Sequence, residues 1–278
     1  MVSPLPDFEI PPVVEVAISL QFTPLELHAS HFGLLWQRFR SEGYARTEDH
    51  GPLEPAIEQF GSTQQPQIGV RLQTFDDAPP LPRVWFLNDQ QNELIQVQRD
   101  RIIVNWRQGA QSEPYLRYAN IIKRHRASLL VLAQFVQAEK LGEIVPMQCE
   151  ITYVNHLLAG AGWTRHGDLD SVVTTWRNQY SDSYLPAPED VRFLARYRMN
   201  DEQGEPRGRL HVTVHPAFRT VDKQPIIVMK LTARGTPRSA SEADAYALFD
   251  REHEWIVRGF TSITTKGMHS VWRRKDGD

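Results

Sequence analysis

The chain has 278 residues, 41% hydrophobic and 23% charged, enough apolar material for one large core or two modest ones. A formal net charge of −3 excludes a protein that coats nucleic acid wholesale, though it leaves room for a local basic patch. The single cysteine, Cys149, excludes an internal disulfide and an all-cysteine metal site, and no apolar run approaches the roughly 20 residues of a membrane helix.

The opening stretch, MVSPLPDFEIPP, is proline-rich and expected to lie extended; it has neither the charged start nor the apolar centre of a secretory signal, so a cytoplasmic protein is expected. Val13–Phe22 then alternates, with Val14, Val16, Ile18, Leu20 and Phe22 on one side and Glu15, Ala17, Ser19 and Gln21 on the other, as a half-buried strand does. His31–Glu42 reads as a helix carrying Phe32, Leu35, Trp36 and Phe39 on one face, stopped by Gly43. Residues 44–67 are weakly patterned and expected to be loop. Gly69–Phe75 and Val84–Leu87 read as strands on either side of the turn-forming DDAPPLP.

ELIQVQRDRIIVNWR at Glu93–Arg107 reads as a hairpin with its break at Arg99-Asp100-Arg101. In the simplest register Ile95, Val97, Ile102, Val104 and Trp106 share an apolar face, and Gln96, Gln98, Asn105 and Arg107 share a polar one. The break lacks the Asn-Gly or Asp-Gly of a two-residue hairpin, so the pattern alone leaves the register open. Ser112 is placed to cap a helix of about 27 residues, roughly 40 Å long, in which Tyr115, Tyr118, Ile122, Leu129, Leu132, Ala133 and Val136 recur at helical spacing.

A similar order then recurs. Cys149–His156 reads as a strand, Asp168 as the cap of a helix bearing Leu169, Val172, Val173, Trp176 and Tyr180, and Val191–Met199, Arg209–His215 and Ile226–Arg234 as three strands in a meander. Ser241, with Asp244 three residues on, starts a second long helix whose stripe is Ala245, Leu248, Phe249, Ile256, Phe260 and Ile263. The tail after Lys266 holds Trp272 and then RRKDGD, which is expected to fray. The expected fold class is therefore α+β, in two tandem β-α-β(3-4)-α halves, 1–143 and 144–278, each an antiparallel sheet with long helices on one face. By analogy of element order this is TATA-binding-protein-like or helix-grip-like, which carries no function by itself.

Four local stretches carry a family likeness: Pro11-Pro12-Val13-Val14-Glu15, LIQVQRDR and NWR within 94–107, Tyr153-Val154-Asn155, and Phe260-Thr261-Ser262-Ile263-Thr264 ahead of Trp272. Together they resemble a sporadically distributed, largely uncharacterised bacterial protein family of similar length. The resemblance implies a bacterial, cytoplasmic protein and supplies no catalytic residues.

The second meander holds the most suggestive pattern. With Phe193, Ala195, Tyr197, Leu210, Val212, Val214, Ile227, Met229 and Leu231 inward, the outer face gathers Arg192, Arg196, Arg198, Arg209, His211, His215, Lys230 and Arg234. Asn105 and Arg107 extend the polar theme into the first half. Arginine's planar fork suits phosphate or carboxylate, so the expected function is a non-catalytic binding or accessory protein that meets an anionic partner, nucleic acid or an acidic protein surface. Those arginines would otherwise pair with carboxylates from neighbouring loops across a solvated sheet. An alternative is a small-molecule binder or enzyme using a cavity between sheet and long helix, with Tyr153, Asn155, Trp106, Asn105 and Arg107 near it; the same residues would equally pin the two halves together. A third reading is a structural subunit of a larger complex or homo-oligomer.

His211 and His215 are about 13 Å apart along a strand and cannot share a metal. Asp250-Arg251-Glu252-His253-Glu254 is not a zinc-protease motif and reads as a solvated helix face. Cys149 reads as a small core residue. No phosphate loop, dinucleotide fingerprint or nucleophile elbow is present, and no cofactor is implied.

Overall fold

The computed structural model describes residues 4–60, 81–109 and 114–275. In chain order the strands are β1 (Asp7–Phe8), β2 (Val13–Phe22), β3 (Arg46–His50), β4 (Arg83–Leu87), β5 (Glu93–Gln98), β6 (Arg101–Arg107), β7 (Pro146–Leu158), β8 (Phe193–Asn200), β9 (Pro206–Phe218), β10 (Pro225–Gly235) and β11 (Arg274–Lys275). The helices are α1 (Ala29–Ser41), α2 (Tyr118–Glu139), α3 (Glu242–Ile263) and α4 (Lys266–Val271). The protein is a mixed α+β molecule built on an antiparallel sheet.

Among the described residues, nine strands form that sheet in the order β3-β4-β5-β6-β2-β7-β10-β9-β8. β2 and β7 sit at its centre and pair with each other, so strands from 1–143 and 144–278 share one hydrogen-bonded surface. On each side of that seam the first long strand also bonds the last strand of its own meander, β2 with β6 and β7 with β10. Alternation decides which side chains meet the helices. Val16, Ile18, Leu20, Ile95, Val97, Val104, Ile151, Val212 and Met229 point into a single apolar core shared with Leu35, Phe39, Leu132, Phe135, Phe249 and Ile256 of the helices. α2 lies on β6 and β2, α3 lies on β7 and β10, and α1 packs on α2 and β4.

The hairpin register is the simple one: Ile95 faces Val104, Val97 faces Ile102, and Gln98 faces Arg101 across a two-residue turn. Neither Arg99 nor Asp100 has a positive φ, so this tight turn is made without the left-handed residues that Asn-Gly supplies. α1 ends as expected, with Gly43 at φ +97 just beyond it. At α3 the Ser241 hydroxyl accepts from the Asp244 N–H at 3.1 Å.

Several expectations need correction. α2 starts at Tyr118, after Arg117 at φ +65, and not near Ser112, which lies outside the described residues, as does the expected strand Gly69–Phe75. Its buried stripe runs through Ile121, His125 and Ser128 in place of Ile122. The helix expected after Asp168 is only a 3-10 turn at Leu169–Ser171. There the Asp168 carboxylate accepts from the N–H groups of Thr164 and Arg165, which precede it. The β-branched run Val172–Thr175 sends its backbone to the end of α3: Thr174 N–H donates to Ile263 O and Thr265 N–H to Val172 O. The tail does not fray before Lys275, because β11 pairs with β1 and Trp272 is buried. No described helix is long and apolar enough to cross a membrane.

Candidate functional site

Two features stand out, one on each face of the sheet. On the helix side a cavity of about 460 Å³ opens between the N-terminal segment Leu5–Val13, the start of α2, the middle of α3 and the inward side chains of β7. Its roof is held by the chain ends. Phe8 packs edge-on against Phe260 and Trp272, Asp7 pairs with Arg117 and Lys275, and Glu9 pairs with Arg273. Arg117 also donates to Phe8 O. The two charges at the mouth, Asp7 and Arg117, are thus satisfied by each other.

The wall is apolar except at one place. Tyr115 Oη lies 2.8 Å from Tyr153 Oη, and Tyr153 Oη lies 3.1 Å from His253 Nδ1. Tyr118 stacks on the His253 ring at 4.0 Å and donates to Asp250 Oδ1. Burial pushes the Tyr153 phenol well above its ordinary value, raises Tyr115 to about 12, and lowers His253 to about 4. All three are therefore neutral at pH 7. A neutral imidazole offers one acceptor and one donor, so the relay runs in one direction or the other according to the tautomer. Asn155 is buried beside it and donates to Met229 O at 3.1 Å.

Tyr153 and Asn155 reach this cavity because they share the inward parity of β7, whereas Asn105 and Arg107 have outward parity on β6 and lie on the opposite face. There Asn105 accepts from Gln96 and donates to Glu15 Oε1, each at 2.7 Å, and Arg107 donates to the same Glu15 oxygen while lying 5.0 Å over the Trp85 ring. Trp106 faces the helices, 5.4 Å from Tyr115. The reading of Asp250–Glu254 as a solvated face is corrected too. Glu252 is fully buried, with neither carboxylate oxygen hydrogen-bonded to any described residue, and His253 is half-buried in the cavity wall. The signal was available: Glu252 falls on the helical stripe between Phe249 and Ile256. Nothing in the pattern marked Tyr115 and Tyr118 as more than core aromatics.

The second feature crosses the outer face. Residues 53–60 form a strap perpendicular to the strands, held by a row of glutamines. Gln98 Oε1 accepts from Leu53 N–H, Gln21 Oε1 from Ala56 N–H and Gln148 Oε1 from Glu58 N–H. These are rungs on β5, β2 and β7. The strap ends by placing the Glu58 carboxylate among the second-half cations. It accepts from Arg209 and, at 2.6 Å, bonds His211, with Arg234 Nη1 3.7 Å away. Arg209 also donates to Gln59 O and covers the Phe60 ring, and Arg234 donates to Glu150. Desolvation works against the Glu58 charge, but the His211 and Arg209 hydrogen bonds outweigh it and hold the carboxyl below its ordinary range.

Strand register lays the expected basic residues out in rows: Arg198–Arg209–Arg234, Arg196–His211–Thr232, and Leu194–Thr213–Lys230. Arg209, His211 and Arg234 are brought together, by Glu58. Arg192 lies just before β8, 3.8 Å from Asp190. Arg196, Arg198 and Lys230 are exposed and form no ion pair among the described residues. His215, across from Val228, is half-buried. No cluster of metal-ligating side chains occurs among the described residues.

Comparison with known proteins adds no residue to either feature: no family model and no curated protein matches the chain.

Proposed function

We propose that this chain binds a small, uncharged organic molecule in the cavity beneath its N-terminal segment. The observation that carries the proposal is the Tyr115–Tyr153–His253 relay, the main polar group in an otherwise apolar space of about 460 Å³. Ligand sites commonly combine an apolar wall with a few convergent polar groups, at roughly 300–1,000 Å³. The wall offers no free charge, because the mouth ions pair with each other and the relay is neutral. The ligand is accordingly an aromatic or aliphatic body with one hydrogen-bonding head. Fluorine NMR with 4-fluorophenol tests this. Saturable line broadening is expected for the wild type and is expected to vanish in Val257→Phe, which fills the space. Equal broadening in both proteins would remove the proposal.

A second reading, an anionic partner on the outer sheet face, is favoured by Arg196, Arg198 and Lys230, whose charges no described carboxylate answers. It is narrower than the full set of cations suggests, since Arg209, His211 and Arg234 already hold Glu58. We also infer that the two halves are tandem units of the TATA-binding-protein-like or helix-grip-like kind. The matching strand connectivity on either side of the β2–β7 seam supports that reading.

A further inference from the structure

We propose that the free edge of β8 takes up an extended, acidic segment of a partner protein as a tenth strand. This deepens the anionic-partner reading of the outer face and is independent of the cavity. Among the described residues, β8 is the last strand of the sheet and pairs only with β9. Among the described residues, the backbone of Phe193–Met199 makes no hydrogen bond beyond that pairing. An open row of amide and carbonyl groups is a template for another strand.

The side chains say which strand. On the outer face, Arg196 and Arg198 stand exposed at alternate positions, with Lys230 two strands in and Arg192 just before. A neighbouring strand with Asp or Glu at every second position would set its carboxylates beside these cations. Between the charges Leu194 is 64% exposed, and the approach to the strand exposes Tyr184 and Leu185. On the helix side, an open groove of about 780 Å³ lies between α3 and Tyr197 of β8, with Leu210, Trp255 and Ile263 as its apolar wall and Glu202, Arg251, Glu254 and Arg258 as its charged one. It would receive the apolar residues that alternate with the acidic ones.

The same charges argue against self-association. Two copies of β8 paired edge to edge would bring arginines against arginines, which opposes pairing. The opposite edge, β3, is shorter, and its sequence RTEDH mixes both signs, so it selects no such partner.

The test is fluorescence anisotropy with a labelled peptide of alternating Glu and Val, about seven residues long to span the strand. Two isomers of this peptide are N-methylated at alternate residues, each along one edge. Saturable binding that weakens as salt is raised is expected. The exposed-site variant Arg196→Glu/Arg198→Glu, with melting temperature unchanged, should bind about tenfold more weakly. A strand added to a sheet uses only one of its edges, so one methylated isomer should bind like the parent and the other should lose binding. Equal binding of both isomers would overturn strand addition. Binding of an oligothymidylate without binding of the peptide would overturn the proposal and spare the broader anionic reading. Binding of neither would remove both. A sedimenting dimer that the peptide dissociates would assign the edge to a second copy and also overturn it.

Discussion

Replacing Glu58 by glutamine keeps the shape of the strap's anchor and removes its charge. The carboxylate accepts from Arg209 and His211 and lies near Arg234, while only 6% of its side chain is exposed. Hydrogen bonds to charged groups contribute about 1.5–3 kcal/mol and neutral ones about 0.5–1.5, so two downgraded bonds cost about 2 kcal/mol. That corresponds to a fall of about 4 °C in melting temperature for a chain of this size. Because the folded-state carboxyl sits below its ordinary range, the stabilisation is present above the unfolded value near 4.3 and is lost as pH falls through the lower folded value. Urea denaturation of wild type and Glu58→Gln at a series of pH values measures it. The gap between the two proteins should be full at pH 7 and close in acid. A gap under about 0.5 kcal/mol at pH 7, or one that does not change between neutral and acid pH, would refute the reasoning.

Glu252 should behave in the opposite way. Desolvation first, and the nearby Glu150 charge second, hold its carboxyl well above the ordinary value, so folding forces it to keep a proton. Stability is therefore lost as pH rises from the unfolded value towards the folded one, and Glu252→Gln should be more stable than wild type by about 1–3 kcal/mol at pH 8, with no advantage in acid; denaturant midpoints at both pH values check this. His253 and His125 are lowered by burial to about 4 and about 3 respectively, so the wild type should lose stability as pH falls below about 6.5, where the unfolded imidazoles take up protons. His253→Gln should make that limb shallower by up to about 1.4 kcal/mol per pH unit between about 6.5 and 4, as read from denaturation curves.

The long strands were legible because their burial is one-sided; β3, Arg46–His50, fell in a stretch expected to be loop, because its side chains are almost all exposed and leave no apolar alternation. Val16 to Leu20 alternates in the sheet as in the sequence, but a bulge between Val13 and Glu15 buries Val13 in place of the expected Val14, and the two faces of Glu93–Arg107 followed from its two-residue period while its register, which the turn sequence left open, did not. α3 is legible from its cap and stripe, yet the burial of Glu252 is not, because carboxylates are rare in cores. The strap was not legible. Its backbone is satisfied by the side chains of Gln98, Gln21 and Gln148, each from a different strand, and no local pattern records contacts made across the sheet. The basic face was legible as a set of residues but not in its electrostatics, since Glu58 reaches Arg209 from 151 residues away in the chain. The helix expected after Asp168 failed because tertiary backbone partners at the end of α3 competed successfully for Val172–Thr174.

The cavity is tested most directly by anomalous diffraction from a crystal soaked in 4-bromophenol. The account predicts a bromine peak between α3 and the N-terminal segment, with the phenol oxygen within hydrogen-bonding distance of the Tyr115–Tyr153–His253 relay. Bromine peaks found only on the outer surface, with the relay unchanged and the cavity filled by ordered water, would contradict it.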